Sequence, residues 1–278
     1  YICTNNEIFK TGNKGEVWNK IYSFPDSVCI TITSIEVIEP NIYLGTDKGL
    51  FLSTNNGASF QKNENGIADS NICCLAKSSG NIYAGTYGDG IFVTSNNGEN
   101  WKTINNGLTN LNVLCIAVDG SEIYAGTYGS GIFRSANNGE SWEQINNGLT
   151  SFHINKLLMD ASNVTAGTYS GVFISSYNGE SWAAKSKGLD AIDIICVAAQ
   201  DSNIFVGTDG GVFLSTNNGN SWELMNSGLS NVNISCIAVN DSIAYASSYA
   251  NAIFKSTDAG KNWTETNSGL TDFYTQTL

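Results

Sequence analysis

Ser135-Ala136-Asn137-Asn138-Gly139-Glu140-Ser141-Trp142 is one copy of a short sequence that recurs along the whole chain. The copies begin at Thr11, Ser53, Thr94, Ser135, Ser175, Ser215 and Ser256. Successive first residues are therefore separated by 42, 41, 41, 40, 40 and 41 positions. A fixed period outweighs a domain count based on chain length, so we predict one repeat array that occupies residues 1–278 as a single domain.

Each repeat contains four short segments with the composition of β-strands. In the fourth unit they are Leu111–Val118, Glu122–Tyr128, Gly131–Ser135 and Ser141–Asn146. Gly and Asn separate them, as tight hairpin turns require, and no apolar spacing of three and four indicates helices. Four strands in about 40 residues are typical of a propeller blade. The first strand is almost wholly apolar, so we expect neighbouring blades to cover both of its faces.

The two chain ends predict how the ring closes. Residues 1–11 align with the second and third strands of a unit, so the first blade lacks an inner strand. Residues 269–278 align with 107–116, the segment that leads into an inner strand. We therefore predict an all-β, seven-bladed β-propeller of four-stranded antiparallel blades, whose ring is closed by the N- and C-terminal strands in one blade.

Composition excludes several classes of partner. The formal net charge is -12 and the pI is near 4.4, which disfavours binding to nucleic acid. No apolar run approaches the roughly 18 residues that a membrane span needs, so no membrane insertion is expected. Because residue 1 is Tyr and no leader-like stretch is visible, we expect a processed or excised segment whose targeting sequence has been removed.

The recurring pattern Ser/Thr-x-Asn/Asp-x-Gly-x-Ser/Asn-Trp resembles the Asp-box, or BNR repeat, of sialidases, sortilin-type receptors, xyloglucanases and photosystem assembly-factor propellers. The resemblance implies a structural turn between the third and fourth strands of each blade. Asp occupies the Asx position only at Asp258. The other copies have Asn13, Asn55, Asn96, Asn137, Tyr177 and Asn217 there. Calcium prefers charged oxygen ligands, so we expect no metal site, and we expect no cofactor.

The same resemblance raises enzyme activities that the residues do not favour. Sialidases hold their substrate with three Arg, and the assembly-factor propellers carry an Arg patch, whereas this chain has one Arg, Arg134. Xyloglucanase-like enzymes need an acid pair, which Asp47, Asp89, Asp193 or Asp209 could supply, but they resemble two propellers that face one cleft. The only His is His153, and no nucleophile elbow occurs. We predict no catalytic residues and keep a glycosidase-like enzyme as an alternative.

Two sets of residues are expected to converge on one face of the ring, around the mouth of its channel. One follows the Gly-Thr pair of each blade and the other precedes each inner strand. The candidate ligand-binding residues from these sets are Asp47, Tyr87, Asn112, Tyr128, His153, Tyr169, Asp193, Asp209 and Tyr249. Tyr faces beside carboxylates and amides suit sugar rings. Alternatively, Tyr, Asn and Asp simply favour these strand ends.

Four of the seven Cys recur in register on the inner strands, which indicates packing rather than chemistry. They are Cys74, Cys115, Cys196 and Cys236. Cys3 to Cys29 is the one disulfide worth testing. Lys156 occupies the equivalent inner-strand position of its own repeat, where an amine among apolar neighbours would reach into the channel or need a partner.

We therefore predict a non-catalytic recognition or scaffold propeller, secreted or at the cell surface, that binds a glycan or a protein at the channel mouth. The alternative from another class is a structural subunit that assembles with its own copies or with flanking domains. An exposed apolar patch would favour assembly, and a polar mouth would favour ligand recognition.

Overall fold

The chain forms seven antiparallel blades arranged as a ring around a central channel, which confirms the predicted seven-bladed β-propeller. This computed structural model describes residues 1–278 except 26, 28, 68, 161–162, 177, 190–192, 201, 241–242, 250–251 and 273. The inner strands of successive blades contact one another around the channel. Within each blade the strands follow one another outward as a meander.

The blades are numbered 1 to 7 in chain order, and their strands run from the channel to the outside. Blade 1 contains β1 (Ile2–Cys3), β2 (Glu7–Lys10) and β3 (Asn19–Ser23). The strands of blades 2 to 4 are β4 (Ile32–Ile38), β5 (Asn41–Thr46), β6 (Gly49–Ser53), β7 (Gln61–Asn63), β8 (Ile72–Ser78), β9 (Asn81–Thr86), β10 (Ile91–Thr94), β11 (Lys102–Thr103), β12 (Val113–Asp119), β13 (Glu122–Thr127), β14 (Ile132–Ser135) and β15 (Glu143–Gln144). The strands of blades 5 to 7 are β16 (Ile154–Met159), β17 (Asn163–Thr168), β18 (Gly171–Ser176), β19 (Trp182–Ala184), β20 (Cys196–Gln200), β21 (Asn203–Thr208), β22 (Gly211–Ser215), β23 (Glu223–Leu224), β24 (Ile234–Asn240), β25 (Ile243–Ser248), β26 (Ala252–Ser256) and β27 (Thr264–Glu265).

The C-terminal segment completes blade 1, as the alignment of the chain ends predicts. Thr277 forms an antiparallel bridge with Cys3, whose amide donates to the Thr277 carbonyl at 3.1 Å. The Gln276 amide donates to the Cys3 carbonyl at 2.9 Å. The missing inner strand of blade 1 is therefore supplied by the other end of the chain, which closes the ring.

The core lies between blades, and the second strand of blades 2 to 7 is almost wholly buried. In β5 every residue after Asn41 is buried, whereas in β4 only Ile32 is buried. Neighbouring blades nevertheless pack on both faces of a first strand, as expected, since Val113 and Ile116 of β12 cluster with blade 3 and Cys115 and Ala117 cluster with blade 5. An innermost strand has one edge towards the channel, where water reaches its side chains, and the second strand has neighbours on both edges.

The recurring turn joins the third and fourth strands of each blade and satisfies its own polar groups. In blade 4 the Ser135 hydroxyl donates to Asn137 Oδ1 at 2.8 Å and accepts from the Gly139 amide at 2.9 Å. Asn137 Oδ1 also accepts from the Ser141 amide at 3.0 Å. Asn138 and Gly139 have φ values of 58° and 85°, the left-handed conformation that Asn and Gly tolerate best.

The Trp that ends the turn packs against the preceding blade. Trp142 is buried, and its indole N–H donates to the Ile104 carbonyl of blade 3 at 2.6 Å. Equivalent bonds to the preceding blade are made by Trp18, Trp182, Trp222 and Trp263. Tyr177, at the Asx position of the blade 5 turn, lies outside the described residues. The turn is thus a repeated clamp between blades.

Candidate recognition site at the channel mouth

The two predicted sets of residues lie on the same face and interleave into one ring. The Tyr87 amide donates to the Asn71 carbonyl of its own blade at 2.9 Å, and Tyr87 also bridges to Asn112 of the next blade. Tyr128 repeats this pattern with Asn112 and His153. We call this set the mouth ring, whose members in order are Asn5, Thr31, Asp47, Asn71, Tyr87, Asn112, Tyr128, His153, Tyr169, Asp193, Asp209, Asn233, Tyr249 and Tyr274.

Local hydrogen bonds explain why the residue after each Gly-Thr pair points to solvent. The hydroxyl of Thr127, which is fully buried, donates to the Gly131 carbonyl at 2.8 Å and closes the loop between β13 and β14. The amides of Gly129 and Gly131 donate to the Phe152 carbonyl of blade 5 at 3.0 and 2.9 Å. With Thr127 fixed inward, the next residue, Tyr128, is left at the mouth, where 48% of its surface is exposed.

Four aromatic side chains form a continuous arc along blades 3 to 5. We call Tyr87, Tyr128, His153 and Tyr169 the aromatic arc. The ring centroids of Tyr87 and Tyr128 are 6.2 Å apart, and those of Tyr128 and His153 are 4.3 Å apart, both edge to face. His153 stacks on Tyr169 at 3.7 Å with 13° between the planes. Such pairs fix the rings relative to one another while their remaining surface is open to a ligand.

Asp193 and Asp209 continue the mouth ring beyond the arc, and we call them the acid pair. The Ile194 amide donates to the Thr168 carbonyl at 3.0 Å, which brings Asp193 next to Tyr169. The Asn155 side-chain amide holds Asp193 Oδ1 at 3.0 Å. Partial burial raises the pKa of the Asp193 carboxyl, and the negative charge of Asp209 raises it further. The negative charge of Asp209 therefore acts on the carboxyl of Asp193.

The pKa values of His153, Tyr169 and Tyr249 are shifted in the directions that favour their neutral forms. Burial lowers the pKa of His153 from its usual value of 6.5, although the charge of Asp193 acts in the opposite direction. Burial also raises the pKa of Tyr169 and of Tyr249, and in both the charge of Asp193 adds to the effect. The phenols therefore keep their protons and can donate hydrogen bonds.

Two other members of the mouth ring, Asp47 and Asn5, are engaged within the protein. Asp47 accepts a hydrogen bond from the Thr31 amide at 2.8 Å and lies 3.6 Å from the Lys48 amine. The side chain of Asn5 accepts from Gln276 at 3.0 Å. Asp47 therefore differs from the other candidates that follow a second strand, since its carboxylate is already engaged whereas Tyr87, Tyr128, Tyr169 and Tyr249 are exposed.

Sequence reasoning missed a second row of apolar residues on the same face. Leu111, Phe152 and Val232 each precede a member of the mouth ring and expose 38%, 44% and 38% of their surface. Of the ten large hydrophobic residues that are exposed in the described part of the chain, eight lie on this face. They are Tyr87, Leu111, Tyr128, Phe152, Tyr169, Val232, Tyr249 and Tyr274. Their recurrence one position before Asn112, His153 and Asn233, which all precede inner strands, was the available signal.

The channel below the mouth contains Lys156 and a set of buried thiols. Burial raises the pKa values of Cys74, Cys115, Cys196 and Cys236, and the charge of Lys156 partly offsets this in each. Lys156 is itself exposed, so its amine lies in the channel between blades. Protonated, buried thiols are poor nucleophiles, which supports a packing role for these Cys.

The remaining predictions concern a disulfide, a metal site and membrane spans. No disulfide joins Cys3, which is buried in blade 1, to Cys29, which is exposed. No group of three or more His, Cys, Asp or Glu side chains in the described ranges could hold a metal ion. The part of the chain that the structure describes also contains no helix long and apolar enough to cross a membrane.

Comparisons with known proteins agree on the fold. Residues 155–276 match the family model described as the DUF6242 beta propeller domain. No curated protein gives a significant match to the sequence. Solved structures with a similar fold include the GH74 enzyme of Niastella koreensis, with a TM-score of 0.74, 16% identity, and coverage of 96% of this chain and 52% of that chain.

Two further neighbours have different roles. A structure described as YCF48 bound to D1 peptide has a TM-score of 0.69 and 14% identity, with coverage of 88% of this chain and 83% of that chain. The extracellular domain of the putative one component system BT4673 from B. thetaiotaomicron has a TM-score of 0.68 and 16% identity, with coverage of 98% and 48%. At these identities the likeness shows the propeller fold alone.

Proposed function

We propose that this chain is a non-catalytic recognition propeller that binds a segment of a partner protein across its channel mouth. The observation that carries the proposal is the concentration of exposed large apolar side chains on the mouth face, where eight of the ten in the described residues lie. Contiguous apolar surface of this kind marks interaction sites on soluble proteins.

A protein partner fits the residues better than a glycan does. Tyr128 and Tyr169 could stack on sugar rings, but Leu111 and Val232 offer aliphatic surface that suits apolar side chains of a peptide. The groups that converge at the mouth are phenols, an imidazole and carboxylates, which stack or exchange hydrogen bonds with a ligand. YCF48 is a propeller of similar fold that binds a peptide, which supports this choice.

Two finer assignments accompany the proposal. We assign the recurring turn to the Asp-box class, because its Ser and Asn side chains bond the turn amides and its Trp packs on the neighbouring blade. We also place the protein outside the cell, in common with the propellers of B. thetaiotaomicron that are extracellular domains. Growth of the natural host followed by fractionation and immunodetection tests that location.

The proposed function is tested by selecting peptides from a random display library on the purified chain, beside a glycan array. We expect peptides that bind the wild-type chain and bind at least about tenfold more weakly to the Tyr128→Ala/Tyr169→Ala double variant. The matched control is Val17→Ala/Leu224→Ala, which removes the two exposed apolar residues that lie away from the mouth. The control should bind as the wild type does.

Two outcomes would overturn the proposal. Glycan hits without any selected peptide would assign the mouth to carbohydrate. Peptides that bind the folded Tyr128→Ala/Tyr169→Ala variant as tightly as the wild type would show that the aromatic arc does not form the binding surface.

A further inference from the structure

The acid pair lies at one end of the aromatic arc, so charge and aromatic surface meet at one point of the mouth. Asp193 lies beside Tyr169, which stacks on His153 at 3.7 Å. Tyr249, in the next blade, is close enough for its phenol to respond to the charge of Asp193. In the order of the mouth ring, the acid pair therefore lies between Tyr169 on one side and Asn233, followed by the exposed Tyr249, on the other.

No positive charge of the described part of the chain neutralises this pair. The ion pairs among the described residues involve other carboxylates, and the one on the mouth ring joins Lys48 to Asp47. The acid pair is therefore a local concentration of uncompensated negative charge in a chain whose net charge is already -12. A field of this sign attracts cations and repels acidic ligands.

Extending the proposed function, on which this step rests, we infer that the partner segment is basic and places a Lys or Arg side chain on Asp193 and Asp209, between Tyr169 and Tyr249. The carboxylates supply charge-assisted hydrogen bonds to the ammonium or guanidinium group. The tyrosine faces receive the aliphatic stem and interact with the cation. Apolar residues of the same segment contact Leu111, Phe152 and the rest of the arc.

In this arrangement the acid pair provides the electrostatic attraction, and the aromatic arc provides most of the apolar contact area. The aromatic arc supplies apolar surface that any sufficiently apolar peptide could cover, whereas the acid pair discriminates by charge. A basic segment is drawn towards the mouth from a distance, and an acidic one is rejected. We therefore expect binding that weakens with added salt, as exposed charge pairs are screened.

The test uses three capped peptides of about twelve residues, long enough to cross the mouth, that share an apolar and aromatic framework. They differ at the central positions, which are Lys in the first, Gln in the second and Glu in the third. Fluorescence polarisation measures their affinity for the wild-type chain. We expect the Lys peptide to bind about tenfold or more tightly than the Gln peptide and the Glu peptide to bind most weakly.

Variants then assign the charge effect to the acid pair. In Asp193→Asn/Asp209→Asn the Lys peptide should lose about tenfold in affinity and much of its salt dependence, while the Gln peptide is unaffected. The matched control is Glu140→Gln/Glu180→Gln, which makes the same change in net charge on the recurring turns at the other end of the ring. In that control the Lys peptide should bind as it does to the wild type.

Other results would contradict either the basic partner or the proposed apolar surface. Equal binding of the Lys and Gln peptides, an equal loss in the two charge variants, or no binding of the Lys peptide would overturn the basic partner. If the peptides bind alike but all require Tyr128 and Tyr169, the proposed function stands and only this inference fails. If the Lys peptide requires the acid pair and not the arc, the proposed apolar surface fails instead.

Discussion

The two ends of the propeller repeat with the same period but use their side chains in different ways. At the turn end, Ser135, Asn137 and Ser141 bond one another and their own backbone, and Trp142 bonds the neighbouring blade. At the mouth end, Tyr128 follows an equally regular backbone pattern but leaves 48% of its surface exposed. In the blade 4 turn these polar groups have internal partners, whereas Tyr128 leaves surface open to solvent.

This difference has a physical basis in what each position must satisfy. The turn needs its buried hydroxyl and amide groups to be paired, since an unpaired buried group costs about 1 to 3 kcal/mol. The residue after Thr127 has no such requirement, because the Thr hydroxyl already closes the loop. Asp or Tyr can therefore follow the Gly-Thr pair without disturbing the blade, as they do at Asp47 and Tyr87, and Asn5 follows the equivalent Cys3-Thr4 pair.

The largest difference in stability between the two ends should come from replacing one aromatic residue at each end by Ala. Trp142→Ala removes a buried indole and its bond to Ile104, and we expect it to lower the free energy of unfolding by about 3 to 5 kcal/mol. Tyr128→Ala removes a half-exposed ring, and we expect a loss below about 1 kcal/mol. Urea unfolding followed by tryptophan fluorescence and circular dichroism measures both.

Similar losses in the free energy of unfolding for Trp142→Ala and Tyr128→Ala would contradict this difference between the two ends. A large loss for Tyr128→Ala would mean that the arc is part of the stabilising core and not a binding surface. Phe at position 128 provides a sharper control, since Tyr128→Phe keeps the ring contacts to Tyr87 and His153 and should leave stability unchanged.

Sequence alone could predict the turn end almost completely, because the recurring residues count the blades and the alignment of residues 269–278 identifies the closing strand. It also located the mouth ring, since Tyr87 and Tyr128 have a fixed offset from their Gly-Thr pairs. It could not show that His153 stacks on Tyr169 or that the charge of Asp209 raises the pKa of Asp193. Each pair belongs to a single blade and lies at the open end of its first two strands, where the side-chain conformations decide the contact and the residue pattern does not specify them.

The engagement of Asp47 illustrates the same limit. It occupies the position of Tyr128 in its own blade, but its carboxylate binds the Thr31 amide and lies near Lys48. A short acid can turn back to the lead-in strand, which a Tyr ring cannot do. The side chains at the mouth therefore differ in their availability to a ligand, although the backbone repeats.

A smaller contrast is expected from serine hydroxyls. Ser135→Ala leaves the Gly139 amide without its acceptor, and Gly139 is buried, so we expect a loss of about 1 to 2 kcal/mol. The matched mouth substitution is Ser170→Ala, at an exposed position, where the change should stay within about 0.5 kcal/mol. Thermal unfolding by calorimetry compares the two. Equal effects would contradict the view that the turn depends on its internal bonds.

The smallest effect concerns the one turn whose Asx position is an Asp. Asp258 accepts bonds from the backbone and side-chain amides of Asn262, which lower the pKa of its carboxyl to about 2. In the unfolded chain that pKa is about 3.9, so the unfolded state binds more protons in between. The stability that Asp258 contributes is present above about pH 4 and is lost as the pH falls towards 2.

Asp258→Asn should remove this pH-dependent part and leave the turn otherwise intact, because Asn serves the same turn at Asn137. The difference in unfolding midpoint between wild type and Asp258→Asn should therefore shrink from pH 5 to pH 2.5, in the window set by the two pKa values of Asp258. The converse variant, Asn137→Asp, should become more stable relative to the wild type as the pH rises from 2.5 to 5. If neither variant alters the pH dependence of the unfolding midpoint, the charge of the Asx side chain does not contribute to stability. The turn would then depend only on the hydrogen bonds that Asn and Asp make equally.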